Sequence, residues 1–290
     1  MTDSKNLRHL MQRTSMLVVP GAYDAIGARL IEQAGYSAVY MTGAGASLSR
    51  GYPDLGLLTM NEMADCAAAM TRGISIPLIA DADTGYGNEL NMTRCVREYE
   101  SRGVSAIQIE DQVMPKRCGH IDGKEIIPRL EFISKIRAAV SARSNTDFLI
   151  IARTDARAVV DLDEAINRAN AALKAGADIA FVEAPQTLAE VATVPKKVQG
   201  PCLLNIVPGG RTPISSLHEA ELMGYKIAIL PALMLKATIA AGDAALKDLR
   251  ETWQSPSTTE SIAQTFKRFG SDEWDSLRSR FLDEPTAQTT

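Results

Sequence analysis

The chain has 290 residues, 46% of them apolar, and a net charge of −4. That length can bury a full core in one large domain, and the acidic balance argues against a nucleic-acid footprint. No apolar run approaches the roughly 18 residues of a membrane span, and the polar first 16 residues lack an apolar signal core.

Short apolar, β-branched runs predict strands at Leu17–Pro20, Ala38–Thr42, Pro77–Asp81, Ala106–Glu110, Phe148–Arg153, Ile179–Glu183, Cys202–Asn205 and Ile227–Leu230. Between them, 3.6-residue periodicity predicts helices at Asp24–Ala34, Asn61–Arg72, Asn91–Arg102, Arg129–Ala142, Asp163–Ala175, Leu188–Val198 and Ile214–Met223. Several of these run into a glycine (Gly35, Gly103, Gly176, Gly224), a common helix stop before an αβ loop. Further helices are expected at Ser261–Phe269 and Asp275–Phe281, before a disordered end at 284–290.

Eight alternations of strand and helix predict a (β/α)₈ TIM-type barrel, with a doubly wound sheet as the competing architecture. The expected domains are a catalytic barrel over residues 1–250 and a helical extension over 251–290. Cys66, Cys95, Cys118 and Cys202 form no CxxC pair. Reduced thiols in a cytoplasmic protein are therefore expected.

In such barrels the reacting groups sit at strand C-termini and in the loops that follow. Those positions here are polar: Thr42-Gly43-Ala44, Asp81 and Asp83, Glu110, Arg153, Glu183 and Asn205. Asp81, Asp83 and Glu110, with Asp54 from the loop after strand 2, are hard oxygen ligands suited to Mg²⁺. The alternative for Asp83-Thr84-Gly85 is a turn capping the next helix. Thr42-Gly43-Ala44-Gly45 offers unobstructed backbone N–H groups for a carboxylate or phosphate. Arg153 could add a bidentate carboxylate contact, or pair with Glu183 or Asp155.

The long segment from Asp111 to Pro128 carries Lys116-Arg117-Cys118-Gly119-His120. Lys116, Arg117 and a protonated His120 are expected to lower the thiol pKa of Cys118. A mobile loop closing a proton-transferring thiol over substrate is one reading. Zinc is the other, but no second ligand pair stands at suitable spacing.

The segments PGAYDAIGARLIEQAG, VYMTGAG, PDLGLLT, DADTGYGN, IEDQVMPKRCGH, IIARTDA and FVEA resemble the isocitrate lyase/phosphoenolpyruvate mutase superfamily, over roughly Leu10 to Lys247. The resemblance implies a Mg²⁺ enzyme (Mn²⁺ being possible) that handles a pyruvate-like enolate of a small carboxylate substrate. It implies Asp81 as direct metal ligand, with Asp54, Asp83 and Glu110 behind it. Thr42, Gly43 and Ala44 would bind the substrate carboxylate, with Gly119, Arg153, Glu183 and Asn205 completing the pocket. Tyr40 would stand beside the reacting atoms, and Cys118 would be the general acid on a gating loop with Lys116 and His120. A homotetramer that exchanges C-terminal helices is also implied.

Carbon–carbon lyases cleaving 2-methylisocitrate or 2,3-dimethylmalate are the branches this chain resembles. At Lys236 an arginine typical of a third-carboxylate pocket is replaced, and the second arginine of that pocket has no clear counterpart near Lys267–Gly270. Lysine keeps the charge but not the fork, so the expected substrate is a 2-hydroxy di- or tricarboxylate, with a 2,3-dimethylmalate-type dicarboxylate a serious candidate. The resemblance implies that Pro231 disfavours an oxaloacetate hydrolase, although an oxaloacetate hydrolase or decarboxylase stays a further alternative. A carboxyphosphonoenolpyruvate mutase-like C–P enzyme is the principal alternative, and a non-catalytic metabolite-binding barrel the alternative of another class.

Overall fold

A computed structural model describes residues 6–13, 15–214, 216–257 and 260–282. The segment 284–290, expected to be disordered, lies outside the described residues. Eight parallel strands close into a barrel in sequence order: β1 (Leu17–Ala22), β2 (Val39–Met41), β3 (Leu78–Asp81), β4 (Ala106–Glu110), β5 (Leu149–Thr154), β6 (Ile179–Val182), β7 (Cys202–Asn205) and β8 (Ile227–Leu230). Closure rests on β1 pairing with β8, Val19 opposite Ile229. The doubly wound alternative is thereby excluded.

The helices are α1 (Leu7–Met11), α2 (Ala25–Gln33), α3 (Gly43–Leu48), α4 (Met60–Gly73), α5 (Glu89–Ser101), α6 (Arg129–Ala142) and α7 (Ala156–Val159). They continue as α8 (Leu162–Lys174), α9 (Leu188–Lys197), α10 (Leu217–Met223), α11 (Leu233–Thr252), α12 (Ile262–Arg268) and α13 (Ser271–Leu282). Local chemistry fixes their starts. Thr59 and Glu62 form a reciprocal capping box at α4, Asn88 and Asn91 do so at α5, and Asp161 caps α8. The short helices α1, α3 and α7 and the 20-residue α11 are absent from the periodicity-based expectation.

Side chains alternate across each strand, and this divides the core. Val19, Ala38, Tyr40, Ile79, Ala106, Leu149, Ile151, Ile179, Phe181, Leu203, Ile227 and Ile229 fill the barrel, joined by Leu7 of α1. Their strand neighbours Val39, Ala80, Ile107, Ile150 and Ala152 pack outward with residues of α4–α6. Ala180, Leu204 and Ala228 do the same with residues of α8–α10. Period two then carries each inward series to the strand end: Ile79 to Asp81, Ala106 to Gln108 and Glu110, Ile151 to Arg153, Phe181 to Glu183, and Leu203 to Asn205. The alternation that packs the barrel thus delivers the polar groups to its mouth.

The chain divides into two compact units, Met1–Thr238 and Ile239–Thr290. The second has no buried residue in α12 or α13 and exposes Trp253, Phe266, Trp274 and Phe281.

Candidate active site

A cavity of about 110 Å³ lies at the C-terminal barrel mouth. Its lining draws Tyr40 and Thr42 from the end of β2, Asp81 from β3, Gln108 from β4, Arg153 from β5, and Phe181 and Glu183 from β6. Asn205 comes from β7 and Ile229 from β8, while Ala44, Asp54, Val207, Pro231, Ala232 and Leu235 follow strand ends. The loop after β4 contributes Lys116, Cys118, Gly119 and His120. A larger groove of about 1140 Å³ opens at the other end of the barrel, beside Ser105 and Phe148, and contains none of these groups. The chemistry belongs to the smaller cavity, where the expected residues converge.

Asp81 is tied down by backbone donors: Gly43 N–H at 3.2 Å and Asp83 N–H at 3.0 Å. Tyr40 donates to Gln108 Oε1 at 2.6 Å, and Gln108 Nε2 stands 3.5 Å from Asp81 and 3.4 Å from Glu110. Burial, then the Asp81 charge, push the Tyr40 phenol well above its ordinary value, so it stays protonated. Arg153 grips Asp155 through Nε at 3.0 Å and Nη2 at 3.1 Å, and reaches Glu110 through Nη1 at 3.0 Å. Burial works against the guanidinium, but Asp155 and Glu110 outweigh it. Its charge also lies 5.5 Å from the Phe181 ring centre.

Lys116 pairs with Asp54 and, at 3.0 Å, with Asp83. Burial opposes its charge, and Asp83 and Asp54 together overcome that, holding the ammonium protonated. His120 accepts Arg211 N–H on Nδ1 at 3.1 Å. Its proton therefore belongs on Nε2, 3.2 Å from Glu183 Oε1. Burial lowers the His120 pKa despite Glu183. Asn205 Nδ2 completes this group by donating to Glu183 at 3.2 Å.

The structure changes several expectations. Asp83, Glu110, Gly43 and Lys236 do not line the cavity. Asp83 sits behind Asp81 with a left-handed backbone (φ 46°), and Asn88 rather than Asp83 caps the next helix. The glycine loop is the start of α3, and its Gly43 N–H is spent on Asp81. Lys236 points away and donates to the Pro208 carbonyl at 2.6 Å.

The Cys118 thiol is raised, not lowered. Burial outweighs the His120 backbone N–H, Asp54 adds to the rise, and Arg153 opposes it. Lys116 is consumed by its carboxylates, and His120 is neutral. Sequence reasoning missed Gln108, Phe181, Val207, Ile229, Ala232 and Leu235. Gln108 alone left a signal, a polar residue at an inward position of an apolar strand.

Among the described residues no group of three or more His, Cys, Asp or Glu is arranged as a ready metal cage. The donor chemistry nevertheless fits a hard divalent cation held largely through water. Six carboxyl groups (Asp54, Asp81, Asp83, Glu110, Asp155, Glu183) stand with three basic ones (Lys116, Lys124, Arg153). Glu110 Oε1 is buried without a partner, and burial pushes that carboxyl well up despite Arg153. Protons or a cation must balance this excess before an anionic substrate can enter.

The phosphoenolpyruvate phosphomutase family model matches residues 7–250. The chain is 46% identical over 270 residues to 2,3-dimethylmalate lyase of Eubacterium barkeri, covering 93% of this chain and 92% of that one. It is 43% identical over 245 residues to 2-methylisocitrate lyase of Aeropyrum pernix, covering 84% and 79%. Among solved structures, oxaloacetate acetylhydrolase in complex with the inhibitor 3,3-difluorooxalacetate superposes with a TM-score of 0.91 at 35% identity, covering 94% of this chain and 95% of that one. Matched by the family model over residues 7–250 and by a 46% identical relative over 93% of its length, the chain belongs to the phosphoenolpyruvate phosphomutase family, an enzyme of the phosphoenolpyruvate mutase/isocitrate lyase superfamily.

Proposed function

We propose that the protein is a Mg²⁺-dependent carbon–carbon lyase that cleaves a 2-hydroxy dicarboxylate of the 2,3-dimethylmalate type, with Cys118 as general acid. The observation that carries the reading is the Cys118 thiol, kept protonated by burial, lining the same cavity as Asp81 and Arg153.

Asp81 would hold the cation, with Asp54, Asp83 and Glu110 behind it, and Mn²⁺ could serve in its place. When bound, the cation would supply positive charge where the 2-hydroxyl gives its proton to a water, lowering the cost of the alkoxide. Thr42 and Ala44 would orient the substrate carboxylate, with Gly43 shaping that turn and the ion-paired Arg153 guanidinium lending its charge nearby. As the C2–C3 bond breaks, its electron pair passes to C3 of the departing fragment, and the other half leaves as the 2-oxo acid. Electron balance therefore puts the carbanion on the departing carboxylate rather than on pyruvate, a revision of the pyruvate-enolate expectation. Cys118 delivers its proton to that C3. Tyr40 is held protonated and serves as a hydrogen-bond donor, not a base. His120 and Asn205 orient Glu183, and the loop excludes water.

Substrate size follows from the lining. Both basic side chains of the cavity, Lys116 and Arg153, are already ion-paired. Phe181, Val207, Ile229, Pro231, Ala232 and Leu235 make the rest of the wall apolar. An alkyl substituent suits that wall, and a third carboxylate would be buried without a partner. This favours dimethylmalate-type over methylisocitrate-type substrates.

A homotetramer exchanging C-terminal helices accords with the aromatics exposed in the second unit. We also propose a division into 1–250 and 251–290, a boundary inside α11, whereas the compact units divide after Thr238. A cytoplasmic location is supported by four free cysteines. Among the described residues no helix is long and apolar enough to cross a membrane.

The backbone likeness to oxaloacetate acetylhydrolase makes hydrolysis of a 2-oxo dicarboxylate the second reading. A coupled lactate dehydrogenase assay with Mg²⁺ tests both, using 2,3-dimethylmalate, other 2-alkylmalates, 2-methylisocitrate, isocitrate and oxaloacetate. EDTA-sensitive pyruvate release from an alkylmalate supports the lyase. Oxalate and acetate from oxaloacetate, with no pyruvate from any substrate, would overturn it.

A further inference from the structure

The loop after β4 is built as a hairpin on a narrow base. Gln112 bridges Ile126, Val113 N–H donates to Glu125 O at 2.9 Å, and Ile127 N–H donates to Asp111 O at 2.9 Å. Beyond that base the tip, residues 116–122, rests on the barrel through side chains. Lys116 meets Asp54 and Asp83, and His120 meets Glu183. Between those contacts Gly119 passes so close to Glu183 and Arg153 that no Cβ would fit. The cavity of about 110 Å³ is far smaller than the roughly 300–1,000 Å³ of an ordinary ligand pocket, and the tip supplies part of its wall through Lys116, Cys118, Gly119 and His120. Lifting the tip widens it for a substrate.

One buried cation in this loop has no part in the mechanism above. Lys124 stands on the returning leg with its side chain 2% exposed, and it does not line the cavity. Its ammonium crosses the hairpin to donate to the Gly119 carbonyl and lies 3.3 Å from Asp155 Oδ1. Asp155 is the same carboxylate that Arg153 grips through two nitrogens. A single ammonium thus ties the peptide beside Cys118 to the carboxylate that aims Arg153.

We infer that Lys124 is a positioning residue, the latch that holds the loop tip closed and couples closure to the alignment of Arg153. The role rests on the proposed site but not on the identity of its substrate. With the latch made, Cys118 is presented to the cavity while Arg153 is locked. With it broken, the Gly119 carbonyl loses its charged donor, and Asp155 keeps only Arg153. The tip then keeps the contacts of Lys116, His120 and Asp122, and opening on the Gln112–Ile126 base becomes easier. Hydrogen bonds to charged groups are strong enough for their loss to shift a closed–open balance by about ten- to a hundredfold.

Alkylation reads this without any substrate. Cys118 is the half-buried thiol, whereas Cys66, Cys95 and Cys202 are buried, so iodoacetamide labelling at Cys118 reports tip opening. In the full-length protein, Lys124→Met is expected to raise the Cys118 labelling rate about tenfold or more, with the other three cysteines still protected and circular dichroism unchanged. Lys124→Arg, which keeps a charged donor, is expected to recover at least half of that protection. Where turnover is measured, kcat should fall more than KM rises. A folded Lys124→Met protein labelled at Cys118 within twofold of the parent rate would overturn the latch. Labelling that rises at all four cysteines together would overturn it too, in favour of a general packing role. Faster labelling with no turnover on the substrate panel would sink the lyase reading and leave the latch standing.

Discussion

Replacing Gly119 by alanine is expected to keep the loop from closing while leaving the barrel folded. A Cβ at this position falls 2.5 Å from Arg153 Nη2 and closer still to Glu183 Oε1, so something must move. Neither neighbour yields easily. Glu183 is held by His120 and Asn205, both at 3.2 Å, and Arg153 by Asp155 at 3.0 and 3.1 Å. Overpacking of this kind costs about 1–3 kcal/mol. The barrel need not carry that cost, because the tip can lift off. At 1.36 kcal/mol per decade the closed population then falls roughly 5- to 150-fold. The assay pairs kcat on the substrate found by the panel with iodoacetamide labelling of Cys118. We expect kcat to drop by that factor, labelling to accelerate, and the melting temperature to stay within a few degrees. A Gly119→Ala protein with both rates within twofold of the parent would refute the close approach and the closed tip with it.

Three further perturbations separate the assigned roles. Cys118→Ser removes the acid but not the binding groups, so kcat should fall about 10²–10⁴-fold with KM little changed; an unchanged kcat removes the thiol from the mechanism. Asp81→Ala should abolish the Mg²⁺ dependence of activity, and a metal titration curve identical to the parent's would contradict its ligand role. Lys236→Ala should leave KM for every substrate within about twofold, because its ammonium serves the Pro208 carbonyl at 2.6 Å, worth about 1.5–3 kcal/mol at most. A selective loss of tricarboxylate binding in that variant would return Lys236 to the pocket.

The strand-borne part of the site was legible because a strand has only two faces. Once Ile79, Ile151, Phe181 and Leu203 are assigned to the barrel interior, Asp81, Arg153, Glu183 and Asn205 have no other direction to point. The same rule applied one step earlier on β4 yields Gln108. Helix-borne positions are harder, since neighbouring residues on a helix diverge by about 100°. Leu235 lines the cavity, so Lys236 beside it in α11 is turned away, although alignment to a related pocket suggests the opposite. Glycine-rich runs mislead differently. Thr42-Gly43-Ala44-Gly45 reads as a loop by propensity, yet Gly43–Leu48 is helical, and glycine stands at 43 because the backbone there approaches Asp81 more closely than any Cβ permits.

The thiol shows why composition along a loop cannot stand in for electrostatics in space. Lys116-Arg117-Cys118-Gly119-His120 places three basic side chains within two residues of the sulfur, and by that count the thiolate should be favoured. In the folded chain Lys116 is neutralised by Asp54 and Asp83, and His120 gives its Nδ1 to the Arg211 N–H. The thiol is left with burial as its largest influence, and it stays protonated above the ordinary thiol value of about 8.5. A protonated thiol is a poor nucleophile but carries the proton that a departing carbanion needs. Folding thus turns the same five residues from a nucleophile's surroundings into those of an acid.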